Sequence, residues 1–562
     1  MIDEEETLNL KQDNAKEKKK LIKSDIIYII IIIFLIIIIF SLFISFQECH
    51  NKLSFYKNEQ KNKDTKIKAN INIKNDKKDK NDKNDKKEKK EKNNLVKYSK
   101  NSHNFLVLLP GNNCPNPNLK TIYLKRKYAD NNEKYSFEKG IKLSSFSYYD
   151  QTFFTETKKE FREIKLKELG LKQDEKMGVH NLYIMPYSIL RNLRRNITKN
   201  IVNKYQKINR YFNSFEYVSK SSLYINYKKM NEIFPTDYNY MLETFSFPED
   251  KKIINNKFKN YKFNNNPKDN DVWLIKPKLG SLGLGMSILK NITDIKKECL
   301  ITKYLINPHL IKGFKYDLRI HGLVTSVKPL KIYLYDEGLV RVASEKYDPK
   351  KIDNEFSFLT NLYINRRNKK KFIYPQNLAN IEDSNLWNLA AFQRYCKRNN
   401  INYDKLYDDF GDIFIKMVLS VRKKIIDNIK LNNLSSSNFY HVIGFDIIYD
   451  ENMKPYLLES NRRCGLRDDN DAEKYYTHNI VADTINLVGI RIMNKEDKSL
   501  IGDKKYKDSL EEMLEDNLCE LDRPRGGYKL IFPLKNNVEK YKKFYLNDIP
   551  KEDLLLWDNL KE

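Results

Sequence analysis

The pattern of apolar and polar positions divides the chain into stretches of different character. Residues 26–46, IIYIIIIIFLIIIIFSLFISF, form an unbroken apolar run, about as long as the roughly twenty residues a helix needs to cross a bilayer. It is longer than the apolar core of a cleaved signal peptide, and no small-residue cleavage site follows it, so it reads as a transmembrane anchor. The next stretch, 47–102, is almost wholly polar and centres on KNDKKDKNDKNDKKEKKEKNN. With so little to bury, it is expected to be a disordered, self-repelling linker. Short apolar runs then predict strands at Phe105–Leu109, Val272–Pro277, Met286–Leu289 and Leu300–Leu305, whereas 129–178 gives only weak signals. The runs Val442–Tyr449 and Tyr456–Ser460 flank the polar Asp450-Glu451-Asn452 and predict a β-hairpin. Apolar residues at helical spacing predict two amphipathic helices within Leu386–Lys424 and another over His478–Ile490.

Length and charge narrow the picture. The 562 residues leave room for two to four domains. A formal charge of +28 calls for an acidic partner, which charge alone does not identify. The cysteines, at 49, 114, 299, 396, 464 and 519, form no C-x-x-C pair. That argues against a disulfide scaffold or a zinc site and fits a reducing compartment. Arg525-Gly526-Gly527 occurs once, without the repetition of RNA-binding segments, and nucleic acid is not expected as a partner.

Three clusters carry candidate chemistry. If the hairpin turns at Asn452 and Met453, Asp446 lies opposite Glu459, with Asn461 on the same face. Opposed carboxylates repel, and a hard divalent cation that shares its coordination with phosphate turns that repulsion into a site. Lys276 ends a predicted strand just before Gly280-Ser281-Leu282-Gly283-Leu284-Gly285. Gly283 and Gly285 let backbone N–H groups approach phosphate closely. Because a strand follows, this unit is not a Walker loop, which opens a helix. Lys315, Asp317 and Arg319 share one face of a strand, and Arg341 lies beyond the Asp336-Glu337-Gly338 turn. The row is either a cross-strand ladder of ion pairs or a set of forks for phosphate and carboxylate oxygens.

In this order, the segments resemble the motifs of the tubulin tyrosine ligase-like family. The resemblance spans about His180 to Pro533 and includes QKINRYFNSFEYVSKSSLYINYKKM, TFSFPED, PHLIKGFKYDLRIHGLVTSVKPLKIYLYDEGLVRVASEKY, FLTNLYINR and HNIVADTINLVGI. It implies the α+β ATP-grasp fold, antiparallel sheets with helices around an ATP and magnesium site. By resemblance, magnesium falls to Asp446, Glu459 and Asn461; ATP to Lys276, Gly283, Gly285, Lys303, Tyr304, Leu305, Asp317 and Asn361; and the reacting groups to Lys315, Arg319 and Arg341. The sequence departs from the family at Thr302 (usually Gln), Phe358 (usually His) and Cys464 (near a usual proline).

The implied domains are a polar cytoplasmic terminus (1–25), a transmembrane helix (26–46), a linker (47–102), an ill-defined region (103–179), an N-terminal ligase-like domain (180–250), the ATP-grasp catalytic domains (251–493) and a C-terminal helical extension (494–562). The implied activity is ATP-dependent ligation of amino acids to the acidic carboxy-terminal tails of tubulin. The fit is closer to the polyglutamylases, with free glutamate as donor. Glycine or tyrosine ligation, an inactive microtubule-binding protein and a small-molecule ligase are the alternatives. The expected location is a single-pass membrane protein with its catalytic part in the cytoplasm, near microtubules.

Overall fold

In a computed structural model of the chain, the described residues are 206–263, 271–278, 283–375, 380–432, 434–461, 471–491, 510–546 and 548–560, with short stretches at 105–108, 110, 112, 114–115, 121–124, 152–155, 172–173 and 182–184. The expected membrane span, the linker and the loop at Cys464 lie outside them. Among the described residues, no helix is long and apolar enough to cross a membrane.

Two antiparallel sheets position the candidate residues. The smaller contains β1 (Thr244–Phe247), β2 (Trp273–Pro277), β3 (Ser287–Ile288) and β4 (Cys299–Lys303), in the order β1-β4-β2-β3. Its core is Phe245, Phe258, Trp273 and Ile301. The larger sheet is built on β5 (Phe314–Val327), whose fourteen residues are nearly all buried. On one edge of β5, Tyr316–Arg319 pair with β7 (Leu339–Val342) and Gly322–Val327 with β6 (Leu330–Tyr335). On the other edge, Leu318–Val324 pair with β9 (His441–Tyr449), which pairs in turn with β10 (Pro455–Asn461). Strands β8 (Leu386–Asn388) and β11 (Tyr528–Phe532) extend the sheet beyond β7 and β6.

Helices cover both faces of this sheet, so its strands read as near-continuous apolar runs rather than as alternation. One core packs Leu318, Ile320 and Val324 against Phe410, Phe414 and Val418. These three belong to α4 (Tyr403–Leu431), which follows the shorter α3 (Leu389–Arg398). Gly322 is required here: a Cβ would collide with the Phe414 ring, which stacks on Phe445 with centroids 5.0 Å apart. The opposite core packs Leu323, Tyr333 and Val442 against Ile480, Val481 and Ile485 of α5 (Asp471–Val488).

Two expectations are corrected. Residues 494–562 are more than a helical extension: besides α6 (Leu510–Leu521) they contribute β11, whose alternating Tyr528 and Phe532 are buried against β6. The cysteines are not all unpaired either. Cys114 and Cys519, 405 residues apart, form a disulfide, while Cys299 and Cys396 are free and buried. No local spacing marks such a pair, because the fold rather than the sequence brings its halves together.

Candidate active site

The register of the large sheet gathers the charged row. Asp317 pairs with Arg341 across β5 and β7, Arg319 with Asp446 across β5 and β9, and Asp446 with Glu459 across β9 and β10. The hairpin turn centres on Asn452 alone rather than on Asn452 and Met453, with Met453 at φ +61°, and a bulge between Asp446 and Ile447 restores the expected pairing of Asp446 with Glu459. All the singled-out residues except Gly285, Arg319 and Asn461 line one cavity between the two sheets. Arg319 binds Asp446 from beside the cavity, and Asn461 Nδ2 lies 3.4 Å from Asp446 Oδ2.

The row is also an ion-pair ladder. Arg341 Nε donates to Asp317 Oδ1 at 2.5 Å, and its Nη2 donates to Asp446 Oδ2 at 2.8 Å. Arg319 Nη2 donates to the same oxygen at 3.0 Å, and Thr360 Oγ1 donates to Asp317. Burial works to raise the Asp446 carboxyl, but the two guanidiniums outweigh it and hold the group well below the usual carboxylate range. For Asp317, burial wins over Arg341 and, with repulsion from Asp446, raises the carboxyl. Asp446 therefore stays an anion facing the cavity, which suits a cation ligand.

Lys315 occupies an aromatic recess. Its ammonium lies 3.9 Å from the Tyr304 ring centroid and 5.5 Å from that of Phe358, and it donates to the Phe358 carbonyl at 3.0 Å. The Tyr304 and Phe358 rings stack 3.7 Å apart, 11° from parallel. Burial lowers the lysine to about 7, with Asp317 opposing. Phe358 thus takes part in the site even where its side chain has no proton to exchange.

At the other wall, burial lowers Lys276 to about 8, with Glu459 pulling upward. Gly283 and Gly285 have φ of +76° and +74°, conformations that favour glycine. A Cβ on Gly283 would approach Ile364 Cδ1 to 2.9 Å. Asn361 caps α2 (Leu362–Asn365), accepting from Tyr363 N at 2.9 Å. Lys303 pairs with Asp271 at 2.9 Å, and Thr302 receives a hydrogen bond from Thr244 at 3.3 Å.

Lys220, at the start of α1 (Lys220–Ile233), is the residue that sequence reasoning passed over. It lines the cavity, 3.8 Å from Glu459. Its signal was present in the lysine that closes the QKINRYFNSFEYVSK stretch, far in sequence from the other charged cavity residues.

The oxygen donors fit a hard cation. Asp446 and Glu459 face each other with the Asn461 amide alongside, and Mg²⁺ takes one or two carboxylates plus substrate phosphates. Among the described residues, no group of three or more His, Cys, Asp or Glu forms an all-protein metal cage. Two carboxylates and one amide suit an ion that takes its remaining ligands from a bound phosphate and water.

Comparison with known proteins adds independent findings. Residues 197–500 match the family model described as "Tubulin-tyrosine ligase family". The chain is 30% identical over 302 residues to tubulin monoglutamylase TTLL4 of Mus musculus, covering 53% of this chain and 24% of that protein. It is 32% identical over 290 residues to tubulin polyglutamylase TTLL5 of Homo sapiens, covering 50% and 22%. With tubulin polyglutamylase ttll6 of Danio rerio, identity is 27% over 368 residues, covering 61% and 45%. The chain thus matches less than half the length of each of these relatives.

Proposed function

The chain belongs to the tubulin-tyrosine ligase family, and on that premise we propose that it is an ATP- and magnesium-dependent ligase of ATP-grasp type that joins glutamate to glutamate side chains in the acidic tails of tubulin. One observation carries the reading: the register that brings Lys315, Asp317, Arg341, Asp446 and Glu459 to one cavity. The relatives' glutamylase names support the choice of donor and acceptor.

In this reaction an acceptor carboxylate oxygen attacks the γ-phosphorus of ATP, forming an acyl-phosphate and releasing ADP. The donor amine then attacks the acyl carbon, an amide bond forms, inorganic phosphate leaves and the amine loses a proton. No protein nucleophile is needed. Lys276 and Lys315 supply point charges for phosphate oxygens, and Gly283 and Gly285 let the backbone close over them. Arg341, whose Nε and Nη2 hold Asp317 and Asp446, adds positive charge at the cavity for a carboxylate or phosphate, and Arg319 keeps Asp446 oriented. Asp446, Glu459 and Asn461 would hold Mg²⁺, which when bound neutralises phosphate charge. The residues' main contribution is to place the reactants in line.

Phe358, where the family usually has His, favours one alternative: an inactive microtubule-binding protein. One experiment separates the readings. The chain is incubated with ATP, Mg²⁺, tubulin and labelled glutamate, glycine or tyrosine. Glutamate label in tubulin supports the proposal, while glycine or tyrosine label changes the donor. Label in a small product makes it a small-molecule ligase, and no label leaves the inactive reading.

The proposed location is a membrane-tethered enzyme facing the cytoplasm, where ATP and tubulin are found. Sugar on the Asn196 or Asn291 sequon would place the domain in a lumen and overturn this.

A further inference from the structure

A second surface adjoins the cavity. Asn361, which caps helix α2, lines the cavity, and Ile364 packs over Gly283 of the glycine loop. The chain then runs through Arg366-Arg367-Asn368-Lys369-Lys370-Lys371. Five cations within six residues are flanked by apolar side chains left in water: Tyr363 is 45% exposed, Ile373 53% and Tyr374 40%.

A lysine run in so basic a chain is ordinarily a solvated, mobile face. This one is pinned. The Phe372 amide donates to the Asn368 carbonyl at 2.9 Å, and the Asn368 side chain donates to Glu345 at 3.1 Å. Ile373 and Asn385 bond each other in both directions, at 2.8 and 2.9 Å. The guanidinium of Arg366 lies 5.0 Å from the Tyr374 ring centroid. Holding like charges together beside exposed rings opposes folding unless something of opposite charge covers them. Neighbouring acids offset the charge only in part, with Arg367 on Glu355 at 2.6 Å and Lys371 on Glu345 at 3.3 Å, and Lys369 and Lys370 stay exposed.

We propose that residues 363–374 are the docking surface for an extended, glutamate-rich peptide, holding the acceptor chain while one of its carboxylates enters the neighbouring cavity. The cations meet the peptide's carboxylates, and Tyr363, Ile373 and Tyr374 cover its backbone and methylene stems. That the peptide is an acceptor rests on the proposed ligase reading. That the surface binds acidic peptide does not.

The test uses the full chain and a fluorescent synthetic peptide of glutamate and glycine, titrated with and without added salt. Lys369→Glu/Lys370→Glu is expected to weaken peptide binding about tenfold, from the sum of modest exposed pairs, and to flatten its salt dependence. Lys369→Gln/Lys370→Gln should give a smaller loss of the same kind. Tyr374→Ala should weaken binding severalfold with the salt dependence unchanged. All should bind MgATP as the wild type does. Unchanged peptide affinity in the double charge reversal overturns the proposal, as does tighter binding of a single-stranded RNA of equal charge by the wild type. If the wild type binds peptide through these residues but does not bind MgATP, the ligase reading fails and the docking surface stands.

Discussion

The two ends of β5 bury charge to a similar degree and use it differently. At one end, Asp317 and Arg319 join Arg341 and Asp446 beside a cavity that also receives Lys276, Lys315 and Glu459. At the other, Thr325 donates to Glu520 at 2.6 Å, Tyr333 donates to the same carboxylate at 2.9 Å, and Lys331 pairs with it at 2.6 Å. Burial works to raise Glu520, but Lys331 and Arg523 outweigh it and hold the group low. This second cluster adjoins the Cys114–Cys519 bridge, and its carboxylate is held by Thr325, Tyr333 and Lys331. Buried charge alone therefore does not mark a functional site. What sets Asp446 apart from Glu520 is that its ionised carboxylate lines a cavity.

The largest expected effect is at the cavity end. Glu459→Gln removes one of the charges proposed to hold Mg²⁺ and keeps the side chain's shape, so turnover should fall roughly a thousandfold while the melting temperature stays near wild type. Near wild-type turnover at saturating Mg²⁺ would remove Glu459 from the site. The converse change belongs to the Glu520 end. Glu520→Gln breaks a buried pair and should cost about 3 kcal/mol in urea unfolding, leaving nucleotide affinity unchanged. A parallel loss of nucleotide binding would show that the two ends of β5 are coupled.

Smaller effects sharpen the contrast. Tubulin binding should weaken steeply with salt and on removal of the acidic tails, since exposed charges are screened within about 8 Å at physiological ionic strength. Affinity that survives tail removal would point to another acceptor. The mildest effect is titration of Lys315, which burial lowers to about 7. Phosphate prefers the ammonium, so nucleotide affinity should be full below about that pH and decline as pH rises through it, with bound phosphate shifting the decline upward. Lys315→Arg should flatten the profile, because guanidinium does not titrate in this range. An unchanged slope in that variant would assign the pH dependence elsewhere.

The cavity end was largely legible in the sequence because its order is local. Strand alternation puts Lys315, Asp317 and Arg319 on one face, and the hairpin places Asp446 near Glu459, although it is a bulge between Asp446 and Ile447, not legible in the sequence, that sets the two directly opposite. The Glu520 end was not legible, since Glu520 lies 195 residues from Thr325 and nothing near it announces a partner. The same holds for Lys220, which a separate helix brings in, and for the disulfide. Arg525-Gly526-Gly527 shows the reverse case, a visible motif with a structural purpose. Gly526 sits at φ +56°, where a Cβ would strike Asp483, and Asp483 accepts from the Gly527 amide at 3.0 Å and from Tyr335 at 2.8 Å. Those glycines form the turn that leads β11 into the sheet.

The central claim is that this cavity activates an acceptor carboxylate as an acyl-phosphate. The most direct measurement uses a tubulin-tail peptide whose glutamate side chains carry heavy oxygen, incubated with the chain, ATP, Mg²⁺ and glutamate. The account predicts one heavy oxygen in the inorganic phosphate for each amide formed, because the attacking oxygen leaves with the phosphate. Amide formation that releases only unlabelled phosphate would contradict it.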